Sequence, residues 1–254
     1  MSQNIERMPD KKDKNYQHLL QNRKLKIAFY SWFKTRIIGT LVNRYLDIQA
    51  EGLDNIPEGP CILVTHHCLY FDSSVIASTI KRKIHGWIDE DAFSKPGVWR
   101  LCNFLEQVPV KTGGQASRED YKKTKEMSIM WLKNTKDLIG LTNDGASRYL
   151  FDETGNILDL PSRMNHSGAA SLAMEANVPV IPTASWISQK HQKELFVSKG
   201  LNSIKYMEKQ KKIPYKFFFC KPLNPCEYTN KKDLKEDIRK KQLEAYRKLS
   251  NKTP

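Results

Sequence analysis

The side chains best suited to chemistry are two adjacent histidines and an aspartate that follows shortly after them. His66 and His67 come directly after the apolar run Cys61–Thr65, and Asp72 lies five residues beyond His67. An imidazole can act as a general base near neutral pH, and a carboxylate bound to one ring nitrogen fixes the tautomer that keeps the lone pair on the other. Residues five apart do not share a helical face, so Asp72 can face His67 only across an irregular turn.

Two other interpretations use the same residues. Asp72 stands before the helical pattern that begins at Ser73, so it is an ordinary N-cap candidate, and spacing alone favours that role. A metal site built from the two histidines and Asp72 is disfavoured because adjacent side chains diverge and no third ligand is near in sequence. We therefore predict no metal site.

The elements that must position these residues alternate along the chain. Short apolar runs of strand type are separated by helical patterns at 73–83, 95–104, 118–136 and 166–177. Strands joined by helices of that length predict an α/β fold with a mixed, largely parallel sheet flanked by helices. In such sheets, sites form at the carboxyl ends of the strands, where His66 and His67 lie.

Composition narrows the class of partner. The chain has 254 residues, of which 39% are hydrophobic, and its 42 basic residues exceed its 28 acidic ones by 14. An anionic partner is expected, but no RNA-binding signature or zinc finger accompanies the charge, which argues against nucleic acid. The five cysteines form no C-x-x-C pair, which favours a reducing compartment over a disulfide framework.

The N-terminal segment, residues 1–45, is expected to be separate in character from the domain at 46–254. It holds ten basic and three acidic residues, and a helix rich in aromatic side chains is predicted from residue 23 to residue 45. No secretory signal is recognisable, and Lys34 and Arg36 break the longest apolar run, so no membrane span is predicted. We expect peripheral docking on an anionic membrane surface at its cytoplasmic side. A helix packed on the domain with a charged outer side is an equal alternative.

The C-terminal helical pattern at 231–248 is dominated by charges, and this predicts a solvated face.

Further blocks follow the histidines in a fixed order. "HHCLYFD" is followed by "QVPVKT" around Lys111, "TNDGASR" with Asp144 and Gly145, "HSGAASLAMEANVPVIPTA" at 166–184, and "FFFCKPLNP". As an ordered set over residues 46–225, these blocks resemble the glycerolipid acyltransferases, the family of 1-acyl-glycerol-3-phosphate acyltransferases. That family carries a histidine, four arbitrary residues and an aspartate after a buried strand.

The resemblance implies a mechanism and a set of site residues. His67 would be the general base and Asp72 its orienting carboxylate, while Lys111, Asp144, Gly145 and Arg148 would bind the acceptor. The donor would be acyl-CoA or acyl carrier protein, with no further cofactor, and the acceptor a lysophospholipid, lysophosphatidate above all.

The sequence departs from the family pattern in the acceptor blocks. Lys111 replaces an arginine, Arg148 lies one residue late, and Asp144 replaces a glutamate. These departures keep open an acyltransferase for a neutral acceptor, such as diacylglycerol or a long-chain alcohol, and a non-catalytic membrane-surface protein with the same fold.

Overall fold

A seven-stranded sheet forms the centre of the described part of the protein. The computed structural model describes residues 22–251 except 70, 94, 96, 113–115, 145–163, 165 and 198–200. The strands are β1 (Leu46–Glu51), β2 (Cys61–Thr65), β3 (Ile84–Asp89), β4 (Val108–Val110), β5 (Leu138–Thr142), β6 (Val180–Trp186) and β7 (Ile213–Phe219).

The sheet is mixed and mostly parallel, as predicted. Its order is β1-β7-β6-β2-β5-β3-β4, and the β6–β7 pair alone is antiparallel among the described pairs. Strand β2 lies in the middle, parallel to both β5 and β6. All five of its residues are buried, as the continuous apolar run Cys61–Thr65 predicts for a strand covered on both faces.

Helices cover both faces of the sheet. They are α1 (Arg23–Trp32), α2 (Gly39–Tyr45), α3 (Asp72–Thr79), α4 (Glu90–Phe93), α5 (Val98–Phe104), α6 (Arg118–Asn134), α7 (Gly168–Ala176), α8 (Gln189–Val197), α9 (Leu201–Glu208) and α10 (Lys231–Asn251). Cys61 and Leu63 belong to the core on the α2–α3 side, and Ile62 and Val64 to the core on the side of α6, α7 and α10. Because successive side chains along β2 point to opposite faces of the sheet, this strand contributes residues to both cores.

The N-terminal helix is packed on the domain through its basic side chains. A π-helical turn, Phe33–Ile38, joins α1 to α2. Arg23 pairs with Asp137, Lys26 Nζ lies 3.2 Å from Glu106 Oε1, and the buried Lys34 donates to two carbonyls at the end of α3. These inward contacts explain why no clean polar face can be drawn on the sequence. The boundary at residue 45 stays a prediction.

The solvated face predicted for the C-terminal helix describes only one side of α10. The other side buries Leu234, Ile238, Gln242, Ala245 and Leu249 against the sheet. Their spacing of four, four, three and four residues is a helical core stripe. The prediction missed this stripe because a polar residue, Gln242, occupies its centre and charged residues surround it.

Candidate active site

The carboxyl ends of two neighbouring strands bring together His67 and Asp144. In the β2–β5 pair, Thr65 lies opposite Thr142, and the backbone N–H of Asn143 donates to Thr65 O at 3.1 Å. His67 and Asp144 each lie two residues past these opposed threonines. Parallel strands end at the same edge of the sheet, so equal offsets place the two side chains side by side.

The carboxylate of Asp144 holds His67 at two points. Asp144 Oδ2 accepts from the His67 backbone N–H at 2.8 Å, and Oδ1 lies 2.9 Å from ring Nδ1. Burial pushes the pKa of Asp144 upward, but its hydrogen bond and charge interaction with His67 outweigh this, and the net pKa lies below the ordinary value. An ionised carboxylate only accepts, so Nδ1 carries the proton and Nε2 the lone pair. This is the tautomer that a general base at Nε2 requires.

Asp72 organises the turn that follows His67. Its Oδ2 accepts the backbone N–H groups of Cys68 and Leu69, both at 2.8 Å, and its Oδ1 accepts from the Tyr215 hydroxyl. Asp72 is the first residue of α3, the N-cap position belongs to Phe71, and these hydrogen bonds run back toward the turn. Residues 66–69, which precede this helix, belong to no helix or strand.

The charge state of Asp72 is set by burial. Desolvation raises its pKa to about 6, against the opposing effects of the His67 charge and the hydrogen bonds from Tyr215, Leu69 and Cys68. Asp72 and His67 line the same cavity and interact electrostatically. Direct orientation of the His67 ring by Asp72 stays a prediction.

His66 differs from its neighbour in environment. Its ring is fully buried, and Nε2 accepts the backbone N–H of Ser185 at 3.2 Å. The ring also meets Tyr246 of α10 edge-on, with the centroids 5.6 Å apart. An acceptor role for Nε2 places the proton on Nδ1. His66 therefore acts as a packed connector between β2 and β6, and it does not line the cavity around His67.

A cavity of about 390 Å³ opens beside His67 and Asp72. Its inner wall is apolar and includes Leu63, Ile76 and Ile84. Its polar wall includes Lys111, Tyr121 and His166. The site can therefore hold a long apolar group and a polar group at the same time, with His67 between polar and apolar surroundings.

Of the four acceptor residues expected from the sequence, the structure describes two, Lys111 and Asp144. Lys111 lines the cavity, with Nζ 3.6 Å from Asp120 Oδ2. Asp144 contacts His67 directly, a role that the sequence did not reveal. Gly145 and Arg148 lie outside the described residues.

Gln242 of α10 supports the loop that carries Asp144, a role that the sequence pattern did not indicate. Gln242 is fully buried, and its amide nitrogen donates to Val64 O at 2.9 Å and Thr183 O at 3.0 Å. Its amide oxygen accepts from Asn143 Nδ2 at 2.5 Å. Pro182 is the last β6 residue paired with β2 and has no N–H, so Gln242 supplies the donors at the point where the pairing ends.

Comparison with known proteins identifies the family of the chain. The family model described as Acyltransferase matches residues 47–186. The chain belongs to the acyltransferase family. The match begins in β1 and ends with β6, so it includes His67, Asp72, Lys111 and Asp144, and it confirms the family prediction and the enzyme class. No curated protein matches the chain significantly.

A solved acyltransferase shares the fold. It is the 1-acyl-sn-glycerophosphate acyltransferase PlsC from Thermotoga maritima, with a TM-score of 0.62 and 18% sequence identity. The similarity covers 92% of this chain and 83% of that one. The predicted α/β architecture is confirmed over nearly the whole chain. Among the described helices, none is both long and apolar enough to cross a bilayer.

Proposed function

We propose that this acyltransferase moves a fatty acyl group from an acyl thioester to the free hydroxyl of 1-acyl-glycerol-3-phosphate. The observation that carries the proposal is His67, whose ring Nδ1 is held 2.9 Å from the buried carboxylate of Asp144 beside a cavity with an apolar interior. The PlsC protein that shares the fold is a 1-acyl-sn-glycerophosphate acyltransferase, which supports the same acceptor here.

His67 serves as general base in this reaction. Nε2 takes the proton of the acceptor hydroxyl while the oxygen attacks the thioester carbonyl, and an ester bond forms as the carbon–sulfur bond breaks. The resulting imidazolium returns the proton to the departing thiolate, so the products are the ester and a free thiol. Asp144 fixes the tautomer and stabilises the imidazolium, which is the orienting role of a carboxylate in a catalytic triad.

Asp72 supports the same step through the backbone that follows His67. Its carboxylate holds the N–H groups of Cys68 and Leu69 and thereby fixes the backbone that presents His67. Its charge also favours the imidazolium form of the ring. The proposed site thus combines His67 with two buried carboxylates, of which Asp144 binds the ring and Asp72 holds the turn.

The cavity supports the choice of substrates. The hydrocarbon chain of the acyl donor fits the apolar wall of Leu63, Ile76 and Ile84, because burial of each methylene contributes about 0.8 kcal/mol. Lys111 on the polar wall supplies a cation for the phosphate of the acceptor. Either acyl-CoA or acyl carrier protein can supply the thioester, and the chemistry at His67 is the same for both.

One observation favours a neutral acceptor as the second candidate. Lys111 Nζ already lies 3.6 Å from Asp120, so part of its charge is compensated before any phosphate arrives. An acceptor such as diacylglycerol would need no cation at this position.

Docking on an anionic membrane surface brings the protein to its lipid substrates. Between Arg23 and Leu46 there is no acidic residue, and Leu25, Trp32 and Leu41 are exposed on α1 and α2. Basic residues near an anionic leaflet contribute about 1 kcal/mol each. Deletion of residues 1–44 would also remove the buried Tyr30, Lys34 and Val42, so substitutions on the outer side test docking more cleanly.

The proposed function is tested by product identification. The purified chain is incubated with labelled acyl-CoA and either lysophosphatidate, glycerol 3-phosphate or diacylglycerol. We expect phosphatidate as the main product, and exclusive acylation of diacylglycerol would replace the first candidate by the second. His67→Ala should lower turnover by at least about a hundredfold, the usual contribution of a general base, without unfolding the protein. His191→Ala, at a histidine of α8 that does not line this cavity, is the matched control and should retain full activity.

A further inference from the structure

Helix α5 exposes large apolar side chains without burying any of its residues. Val98, Trp99 and Leu101 are all exposed, Trp99 to 43%, and none of the seven residues of α5 is buried. Protein surfaces tolerate single exposed apolar residues, but three on two turns of one helix indicate a surface that meets another apolar phase.

The segment that contains α5 is basic, although the exposed Glu90 and Asp91 precede it at the start of α4. Residues 92–105 include Lys95 and Arg100 and no acidic residue. The Arg100 guanidinium lies 5.5 Å from the centre of the Trp99 ring. A tryptophan beside a basic residue suits the headgroup level of a bilayer, where the indole meets both lipid and water.

Helix α5 is in contact with the outer part of α1. Phe104 of α5 meets Phe29 of α1 edge to face, with ring centroids 4.7 Å apart, and Phe29 in turn lies 5.7 Å from the ring of Trp32. Trp32 is 52% exposed. The apolar residues of α5 therefore adjoin those of the N-terminal helix through a continuous row of aromatic rings.

We propose that α5 is a second membrane-contacting element, which enters an anionic phospholipid leaflet together with the exposed residues of α1 and α2. The proposal rests on the proposed membrane docking and extends it to a segment remote in sequence. An anionic leaflet is the occupant because the surface combines exposed apolar groups with Lys95 and Arg100 and with the exposed Lys24, Arg36 and Arg44 of the N-terminal segment. A second copy of the chain on the same surface would bring these like charges together.

The position of α5 connects the membrane to the cavity. Helices α4 and α5 form the connection between β3 and β4, and Asp89 at the end of β3 and Val110 at the end of β4 both line the cavity. Lys111, proposed to meet the acceptor phosphate, follows β4 directly. Contact of α5 with the leaflet thus holds the polar wall of the cavity near the bilayer in which the acceptor resides.

The test compares three exposed apolar sites in the full-length chain. Binding to phosphatidylcholine vesicles that contain phosphatidylserine is measured for the wild type, Trp99→Ala/Leu101→Ala, Trp32→Ala/Leu41→Ala and Met127→Ala. Met127 is 37% exposed on α6 and serves as the matched control. All substituted side chains are exposed, and unchanged melting temperatures establish that the variants fold.

We expect both double variants to bind about tenfold more weakly or worse, while Met127→Ala binds as the wild type does. Equal binding of Trp99→Ala/Leu101→Ala and the wild type would overturn the role of α5 and leave N-terminal docking intact. Absence of wild-type binding would overturn both. A wild-type dimer that the α5 variant abolishes, with vesicle binding unchanged, would assign the surface to a second copy and overturn the proposal.

Fluorescence provides an independent measurement at α5. In a Trp32→Phe variant, lipids with brominated chains should quench part of the tryptophan emission, and this part should be lost in Trp32→Phe/Trp99→Phe. The same quenching in both variants would contradict insertion of Trp99.

Discussion

Replacing Asp144 with asparagine tests how Asp144 orients the His67 ring, because the change keeps the shape of the side chain and removes its charge and one acceptor. The carboxylate has no exposed side-chain surface and accepts from both the backbone N–H and Nδ1 of His67. An amide of the same shape has one oxygen and one NH₂ group, so it cannot accept from both donors. If its oxygen faces Nδ1, the NH₂ opposes the backbone N–H, and an unsatisfied buried donor costs about 1–3 kcal/mol.

The reverse orientation of the amide is therefore preferred. Its NH₂ then donates to Nδ1 and drives the ring proton to Nε2, where the lone pair of the base is needed. A preference of about 1–3 kcal/mol leaves the competent tautomer roughly 5- to 150-fold less populated. Loss of the charge that stabilises the imidazolium adds to this. We expect kcat to fall by about 10²- to 10⁴-fold, as for the orienting carboxylate of a triad.

The assay is thiol release from acyl-CoA at saturating acceptor, followed from about pH 5 to 9 so that the range spans imidazole titration. Without the negative charge, protonation of His67 should require a lower pH, so the acid limb of kcat/KM should move down in pH. Asp144→Glu keeps the charge and should retain the acid limb even if kcat falls. The exposed Asp54→Asn provides the same chemical change away from the site. An Asp144→Asn enzyme with wild-type kcat and an unmoved acid limb would refute the orienting role.

Three further substitutions test the surroundings of His67. The Asp72 pKa of about 6 lies above its ordinary 3.8, so unfolding releases a proton between these values and stability falls as the pH rises through that window. Asp72→Asn stays neutral, and its stability relative to the wild type, from urea unfolding, should rise by about 2 kcal/mol between pH 4 and pH 7, whereas a constant difference would show that Asp72 does not titrate in this window. Gln242→Leu leaves the partners at Val64, Thr183 and Asn143 unsatisfied and should destabilise the protein by about 3 kcal/mol or more and lower kcat; wild-type stability would contradict the buried hydrogen bonds. Lys111→Ala should raise KM for lysophosphatidate about tenfold and leave KM for diacylglycerol unchanged, whereas equal effects on both would exclude a phosphate contact.

The sequence predicted the fold well because burial follows a simple period. The run Cys61–Thr65 is apolar at every position but the last, as a strand covered on both faces must be, and the helical patterns between the apolar runs have the length of crossover connections. The aromatic N-terminal helix was recognised from composition. The sequence could not show which of its basic residues are buried and which are exposed. Lys34 is buried because it donates to carbonyls at the end of α3, which lies far along the chain.

The sequence predicted which residues form the site, but it did not predict which of them contact one another. A strand end carries its polar side chains to the edge of the sheet, which identifies His67 and Asp144 separately. Their contact depends on β2 lying next to β5 with Thr65 opposite Thr142, and strand order is not written in local spacing. Gln242 could not be recognised because a lone glutamine among charged residues resembles a solvated helix position. Its role depends on the end of pairing at Pro182, which only the sheet shows.

The hydrogen bonds of Gln242 impose an order on assembly. A ribosome makes the chain from its N-terminus, so β2, β5 and β6 are complete before α10 emerges. Until then, Val64 O, Thr183 O and Asn143 Nδ2 have no glutamine amide to bind, and the loop next to Asp144 lacks its support. A nascent chain therefore carries His67, Asp72 and Asp144 before the amide that supports the neighbouring Asn143 side chain is in place.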